Sequence, residues 1–144
     1  MISLAEAREH VLGRCEGPEP VEVALSDARG LVLAEPVDSP EHVPPFANTA
    51  MDGFAVRAAD TVGAPVVLDV VGTVAAGVDP VVAGIEVGSG TAARIMTGAP
   101  MPPGADAVVM VERTEMAADG ATVSVAIEVP VGNHVRSPGE DLVA

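Results

Sequence analysis

The chain has 144 residues, a net charge of −14 with no lysine and seven arginines, and two phenylalanines as its only aromatic residues besides histidine, so its core must be aliphatic. Nucleic acid and anionic membranes bind basic faces, and no apolar stretch reaches the roughly 20 residues of a membrane span, so we expect a cytoplasmic protein that binds neither. Its single cysteine excludes an internal disulfide and a structural zinc site.

The first predicted element is an amphipathic helix over residues 3–15. Ser3 and Glu6 form an S-x-x-E capping box, and apolar residues recur at helical spacing along one face. The Glu16-Gly17-Pro18 sequence predicts the end of the helix. The apolar stripe must pack on something, which is either the rest of this chain or another domain.

Alternating apolar residues predict a strand over Val21–Leu25, and the apolar run Leu31–Val37 is predicted to form another. The segment Pro40–Pro45 is stiff and extended, because each proline fixes its own φ and restricts the residue before it. We therefore predict a domain boundary here. Residues 1–39 then form a helix and an extended β segment of an elongated domain, and residues 40–144 form a small β-rich domain.

Short Val-rich runs separated by glycine and proline fill the rest of the chain, which favours β-strands over helices. The predicted strands are Phe54–Arg57, Pro65–Val71, Thr91–Ile95, Ala107–Val111 and Thr122–Val129. Short strands with frequent turns are typical of a small barrel or sandwich. The predicted fold class is mainly β with an N-terminal α-helix, consisting of a barrel-like or sandwich-like domain and an extended N-terminal segment.

Two loops combine polar groups with glycine next to predicted strands. Asp52 lies between the proline-rich loop and a strand, where a carboxylate is held rigidly enough for metal binding or water activation, although an ordinary Asp-Gly turn explains the same residues. Thr97 and Gly98 follow another strand. They could offer a hydroxyl and backbone N–H groups to an oxyanion, or form a plain exit from the strand.

A third loop near residue 140 carries neighbouring charges of both signs. Glu140 and Asp141 follow a Pro-Gly pair, and Arg136 precedes them. This pattern fits a cation site flanked by a phosphate-binding arginine, and it equally fits a solvated acidic turn. Each loop alone is a weak signal.

Together and in this order, the loops resemble one family closely. Its sequences carry the blocks PPF-x-N-[ST]-AMDG-[YF]-A-V-R, GTAxRIMTGAPxPxGADAVVMxE and N-x-[VI]-R-x-x-GED. The corresponding segments here are Pro44–Arg57, Gly90–Glu112 and Asn133–Asp141. The chain thus resembles the amino-terminal part of the molybdopterin molybdenumtransferases, the family of MoeA and the gephyrin E-domain.

The resemblance implies a multidomain homodimer that acts in molybdenum cofactor biosynthesis. Such an enzyme inserts molybdate into adenylated molybdopterin with release of AMP and uses a divalent cation such as Mg²⁺. The amino-terminal region lies across the dimer cleft and contributes to the partner's active site, while the pterin sits mainly on a later α/β domain. We expect this chain to lack the later domains and to be inactive alone. Other expected partners are the molybdopterin adenylyltransferase and the molybdenum enzymes.

The resemblance also implies roles for seven residues. The expected catalytic residues are Asp52, Thr97 and Asp141, the expected anion-binding residues are Arg136, Arg94 and Gly98, and the expected metal ligands are Asp52, Glu140 and Asp141. The electrostatics agree, because carboxylates repel an anionic substrate unless a cation lies between them. Mg²⁺ is suited to that place, since it prefers carboxylate and phosphate oxygens.

The sequence departs from the family blocks at two places, and two other functions compete with the one that the resemblance implies. Ala47 replaces a usual aspartate, so any role of that carboxylate is lost here. Ser137-Pro138 stands where many relatives carry another arginine, which weakens the expected phosphate contact. The rival functions are a non-catalytic dimerisation or scaffold module derived from this family, and an unrelated small β domain, which the motif match disfavours.

Overall fold

A computed structural model describes residues 2–144 of the chain, which divide into two compact units. The first unit extends to Val37, and the second spans Asp38–Ala144. Within the described residues, the first unit contains one α-helix and a 3-10 turn at Leu25–Asp27, and the second contains eight β-strands. No helix between residues 2 and 144 has both the length and the apolar character needed to cross a membrane.

Helix α1 spans Leu4–Leu12 and begins with the predicted capping box. The Glu6 carboxylate accepts the backbone N–H of Ser3 at 2.7 Å, and the Ser3 hydroxyl accepts the backbone N–H of Glu6 at 3.2 Å. The helix stops at Gly13, which is earlier than the predicted range 3–15. Glycine has a poor helix propensity, so it ends the helix before the Gly-Pro pair is reached.

The two strands predicted for the first unit, Val21–Leu25 and Leu31–Val37, do not form. Neither segment has a β-ladder partner in the described residues, and Leu25 instead begins the 3-10 turn. An apolar pattern gives a segment a face that can pack against a core. It does not supply the neighbouring strand that the backbone N–H and C=O groups need as a hydrogen-bond partner. The prediction was therefore wrong for these segments.

The second unit is built on one six-stranded sheet. Its strands are Gly53–Val56 for β2, Val66–Val74 for β3, Thr91–Ile95 for β4, Ala107–Met110 for β5, Thr114–Met116 for β6 and Thr122–Val125 for β7. They lie in the order β5-β2-β4-β3-β7-β6, with β3 and β4 parallel and the other neighbours antiparallel. The predicted fold class, mainly β with an N-terminal α-helix, is confirmed.

The five strands predicted for this unit all exist, and β4 has the predicted bounds. The largest difference is at β7, which ends at Val125 rather than at the predicted Val129. Strand β6 was not predicted, nor were the two-residue strands β1, at Asn48–Thr49, and β8, at Val135–Arg136. Segments this short carry too little periodicity to be recognised.

Strand β2 is buried on both faces and lies next to the functional loops. Phe54 and Val56 pack with Leu68 in one hydrophobic cluster, and Ala55 packs with Ile95 in the other. Residues that alternate along a strand point to opposite faces, which is why β2 contributes to both clusters. Full burial of a side chain such as Phe54 stabilises the fold by about 1.5–3 kcal/mol. The start of β2 is therefore a rigid support.

Strand β1 brings the three family blocks together. On one side Asn48 pairs with Arg136 of β8. On the other side Asn48 forms a bridge with Pro100, and the backbone N–H of Thr49 donates to Ala99. The first block thus lies between the second and third blocks.

Candidate functional site

The candidate site forms where β2 begins and β4 ends. Gly53, at the start of β2, is paired with Ile95, the last residue of β4. The backbone C=O of Asp52 also accepts the N–H of Val111 at 3.1 Å. These contacts fix the backbone of Asp52 beside the loop that follows β4, and that loop contains Thr97.

Thr97 binds the Asp52 carboxylate through two donors. Its backbone N–H and its hydroxyl both donate to Oδ1 of Asp52, each at 2.7 Å. The backbone N–H of Thr97, followed by the hydroxyl, lowers the pKa of Asp52 below the ordinary value, and the positive charge of Arg94 acts in the same direction. Asp52 is therefore an ionised, exposed carboxylate with one oxygen held in place.

The groups of Thr97 and Gly98 that were expected to donate to an oxyanion donate to other residues of the chain. Both Thr97 donors point to Asp52, and the N–H of Gly98 donates to the backbone C=O of Thr49 at 2.9 Å. Gly98 adopts a φ of 80°, which is the left-handed region that glycine enters without strain. The expected contact of Thr97 and Gly98 with an anion stays a prediction, because in this chain their donors are directed to Asp52 and to Thr49.

Arg94 is the residue near Asp52 that remains suited to an anion. It lies on β4, is exposed, and pairs across the sheet with Phe54, two residues from Asp52. Its charge is close enough to influence the Asp52 carboxylate. Asp52, Thr97, Gly98 and Arg94 thus form one polar group at the end of β4, which we call the Asp52 site.

The third block forms a separate charged group. Arg136 donates to the carboxylate of Asp141 at 2.6 Å and approaches Glu140 at 3.5 Å. Glu140 also accepts the backbone N–H of Ser137 at 3.1 Å. The hydrogen bond and the charge of Asp141 raise the pKa of Arg136. The positive charge of Arg136, the arginine expected to bind phosphate, is therefore paired with the carboxylates of Glu140 and Asp141.

The two charged groups contact the segment 43–52 at different points, and Arg136 pairs with Asn48 between its ends. At one end, the C=O of Val43 accepts the N–H of Asp141 at 2.9 Å. At the other end is Asp52, bound to Thr97. Between residues 2 and 144, no three Asp, Glu, His or Cys side chains form a group that could hold a metal ion. The expected metal ligands Asp52, Glu140 and Asp141 are thus not assembled into one site by this chain.

Asp52 by itself still fits a magnesium ion bound together with a phosphate. Mg²⁺ in such sites takes one or two carboxylates, substrate phosphate oxygens and several waters. Oδ1 of Asp52 accepts both Thr97 donors, and among the described residues no protein group donates to Oδ2. The Glu140 and Asp141 carboxylates fit less well, because Arg136 already occupies them.

Two structural residues were missed from the sequence, Thr49 beside the Asp52 site and Asn133 at the edge of β5. Thr49 is buried, and its hydroxyl bonds the backbone of Met51 immediately before Asp52. Asn133 covers the edge of β5, because its side-chain amide donates to the C=O of Val108 at 2.7 Å. A threonine two residues before a turn is a known turn-closing pattern, so Thr49 could have been recognised. No local signal predicts the contact of Asn133.

Comparison with known proteins identifies the family. The sequence profile of the MoeA N-terminal region, domains I and II, matches residues 2–144. The chain is 44% identical over 156 aligned residues to "Molybdopterin molybdenumtransferase 2" of Mycobacterium tuberculosis, which covers all of this chain and 35% of the relative. It is 41% identical to "Molybdopterin molybdenumtransferase" of Bacillus subtilis, over 83% of this chain and 28% of the relative.

The fold gives the same result. The crystal structure of the "molybdopterin biosynthesis moeA protein" from Pyrococcus horikoshii OT3 superimposes with a TM-score of 0.75 and 38% identity, over 84% of this chain and 32% of that chain. The chain spans about a third of the length of these relatives. With the profile matching almost every residue, the chain belongs to the MoeA N-terminal region family.

Proposed function

We propose that this chain is the amino-terminal part of a molybdopterin molybdenumtransferase, and that it contributes to Mg²⁺-dependent insertion of molybdate into adenylated molybdopterin with release of AMP. Support comes from the names of its relatives and from the Asp52 site. Because the chain spans about a third of those relatives, residues outside it supply the rest of the pocket.

The observation that carries the proposal is the state of Asp52. Its carboxylate is exposed, it is ionised because Thr97 lowers its pKa, and one of its oxygens is fixed by two hydrogen bonds. A carboxylate held in one orientation can bind a cation or orient a water without first losing conformational freedom. Strand β2 keeps this carboxylate at a constant position, because its four residues are fully buried.

The substrates explain why a cation belongs here. Molybdate and adenylated molybdopterin are anions, so a bare aspartate would repel them. Bound Mg²⁺ supplies the positive charge that allows the carboxylate and a phosphoryl group to lie side by side. Asp52 would hold the cation, Thr97 restrains the rotation of the carboxylate, and Arg94 would add a second positive charge next to the anionic groups.

The decisive experiment replaces Asp52 by asparagine. In the protein encoded by the complete gene, Asp52→Asn should lower molybdate insertion and AMP release at least about a hundred-fold, since a site carboxylate is lost. Asp79→Asn is the matched control, because the Asp79 Oδ1 also accepts two hydrogens, from the N–H groups of Val81 and Val82, in a loop outside the Asp52 site. Unchanged insertion by Asp52→Asn would remove Asp52 from the mechanism.

We also propose a homodimer, as the family implies. Leu4, Val11 and Leu12 of helix α1 are exposed, and an apolar helix face of this kind is normally covered by protein. Sedimentation equilibrium of the complete protein tests this proposal. A stable dimer without insertion activity would favour the alternative function, a dimerisation or scaffold module derived from the family.

A further inference from the structure

Thr49 is a buried threonine whose hydroxyl closes the turn before Asp52. Its relative exposure is 1%, and it is the second residue of β1. The hydroxyl donates to the backbone C=O of Met51 at 2.8 Å and accepts the backbone N–H of Met51 at 3.1 Å. Both polar backbone groups of the residue preceding Asp52 are therefore bound by one side chain.

The backbone of Thr49 joins this turn to the loop that contains Thr97. Its N–H donates to the C=O of Ala99 at 3.1 Å, and its C=O accepts the N–H of Gly98 at 2.9 Å. Thr49 thus contacts the residue directly after Thr97 through its main chain and the residue directly before Asp52 through its side chain. Thr49 therefore adds a second link between the two halves of the Asp52–Thr97 pair, besides the pairing of Gly53 with Ile95.

We infer that Thr49 is a positioning residue, which sets the distance between Asp52 and Thr97 and so keeps the Asp52 carboxylate in one orientation. The relevance of this role for catalysis rests on the function proposed for Asp52 above. The hydrogen bonds to Oδ1 are 2.7 Å each, and since such bonds are normally no longer than about 3.2 Å, a shift of about 1 Å at Asp52 is enough to break one of them.

Valine is the sharpest substitution at position 49. It keeps the shape and branching of threonine but removes the hydroxyl, which leaves the N–H and C=O of Met51 without their partner. Thr49→Ser keeps the hydroxyl and loses only a methyl group. Thr49→Ala removes the hydroxyl without adding an apolar group, so it serves as a second deletion in case Thr49→Val does not fold.

Thr61 provides a matched control within the same unit. It is also buried, and its hydroxyl also donates to one backbone C=O, that of Ala58, and accepts one backbone N–H, that of Val129, at 2.8 and 3.1 Å. It lies beyond the far end of β2 from Asp52. Thr61→Val therefore has a similar cost in stability with no direct effect on the Asp52 site.

The first test needs no activity. In NMR spectra of the 144-residue chain, we expect a strongly downfield amide proton for Thr97 and a single χ1 rotamer for Asp52, since a carboxylate accepts that N–H. Thr49→Val should shift the amide upfield and average the rotamer, whereas Thr49→Ser and Thr61→Val should leave both as they are. An unchanged Asp52–Thr97 pair in both Thr49→Val and Thr49→Ala overturns the inference, as does equal disruption by Thr49→Ser or by Thr61→Val.

The second test uses the protein encoded by the complete gene. Thr49→Val should lower kcat for molybdate insertion on the order of ten- to a hundred-fold with little change in KM, because misplacing a catalytic group by about 1 Å has an effect of this size. Thr49→Ser should restore most of the rate. If Asp52→Asn leaves insertion unchanged, the function proposed for Asp52 fails, whereas the NMR result for Thr49 still decides whether Thr49 positions Asp52.

Discussion

The Oδ1 atom of Asp52 lies 2.7 Å from the backbone nitrogen of Thr97 and 2.7 Å from its hydroxyl oxygen. Two loops that are 45 residues apart in the chain are thereby joined at one oxygen atom. Because both hydrogen bonds go to Oδ1, the direction of Oδ2 is fixed as well, and no described residue donates a hydrogen bond to Oδ2. In this relationship Thr97 holds the Asp52 carboxylate, and the expected contact of Thr97 with an oxyanion stays a prediction.

Replacement of Thr97 by valine distinguishes positioning from anion binding. Thr97→Val removes the hydroxyl and keeps the N–H, so one of two bonds to Asp52 remains. We expect kcat for molybdate insertion to fall about ten-fold with KM nearly unchanged, and Thr97→Ser to behave like the wild type. Steady-state kinetics of the complete protein measure this. A raised KM for molybdate with an unchanged kcat would instead show that the hydroxyl contacts the anion.

The lowered pKa of Asp52 predicts how its contribution to stability depends on pH. Thr97, first through its N–H and then through its hydroxyl, binds the ionised form and lowers the pKa in the folded chain. This contribution is present above the unfolded pKa of about 3.9 and is lost as the pH falls through the folded value. We expect the difference in unfolding free energy between wild type and Asp52→Asn to be constant at neutral pH and to shrink below pH about 4.

Urea denaturation of both proteins across this pH range measures that difference. Asp79→Asn, in the loop outside the Asp52 site, reports the effect of removing a hydrogen-bonded aspartate elsewhere. If the difference in unfolding free energy between wild type and Asp52→Asn stayed the same down to pH about 2, the expected pH dependence would be contradicted. Thr97 would then stabilise the protonated and the ionised carboxyl group equally.

Gly53 is predicted to tolerate no side chain. A Cβ added at this position would overlap the backbone oxygen of Val109, because β2 and β5 approach closely there. We expect Gly53→Ala to destabilise the fold by about 1–3 kcal/mol, since a backbone atom cannot move aside as a side chain can. Gly17→Ala is the control, because nothing lies within 4 Å of its added Cβ. Equal stability of the two variants in urea would refute the close approach.

Strand prediction succeeded where a local pattern is repeated over several residues. The run Thr91–Ile95 is bounded by Gly90 and followed by a Thr-Gly turn, and it forms a strand over those residues. The same reasoning failed for Leu31–Val37, where the pattern is equally apolar but no ladder partner exists among the described residues. A strand is a property of two segments, and periodicity describes only one of them.

The order of its motifs determined the family to which this chain belongs, and the local sequence determined most strands and the capping box of the helix. Both follow from short-range patterns, because turn residues, alternation and capping depend on neighbours along the chain. Only the tertiary structure decided the partners of the polar residues. It paired Thr97 with Asp52 and Arg136 with Asp141. Which partner a donor or a charge finds depends on residues distant in sequence, and only folding brings those together.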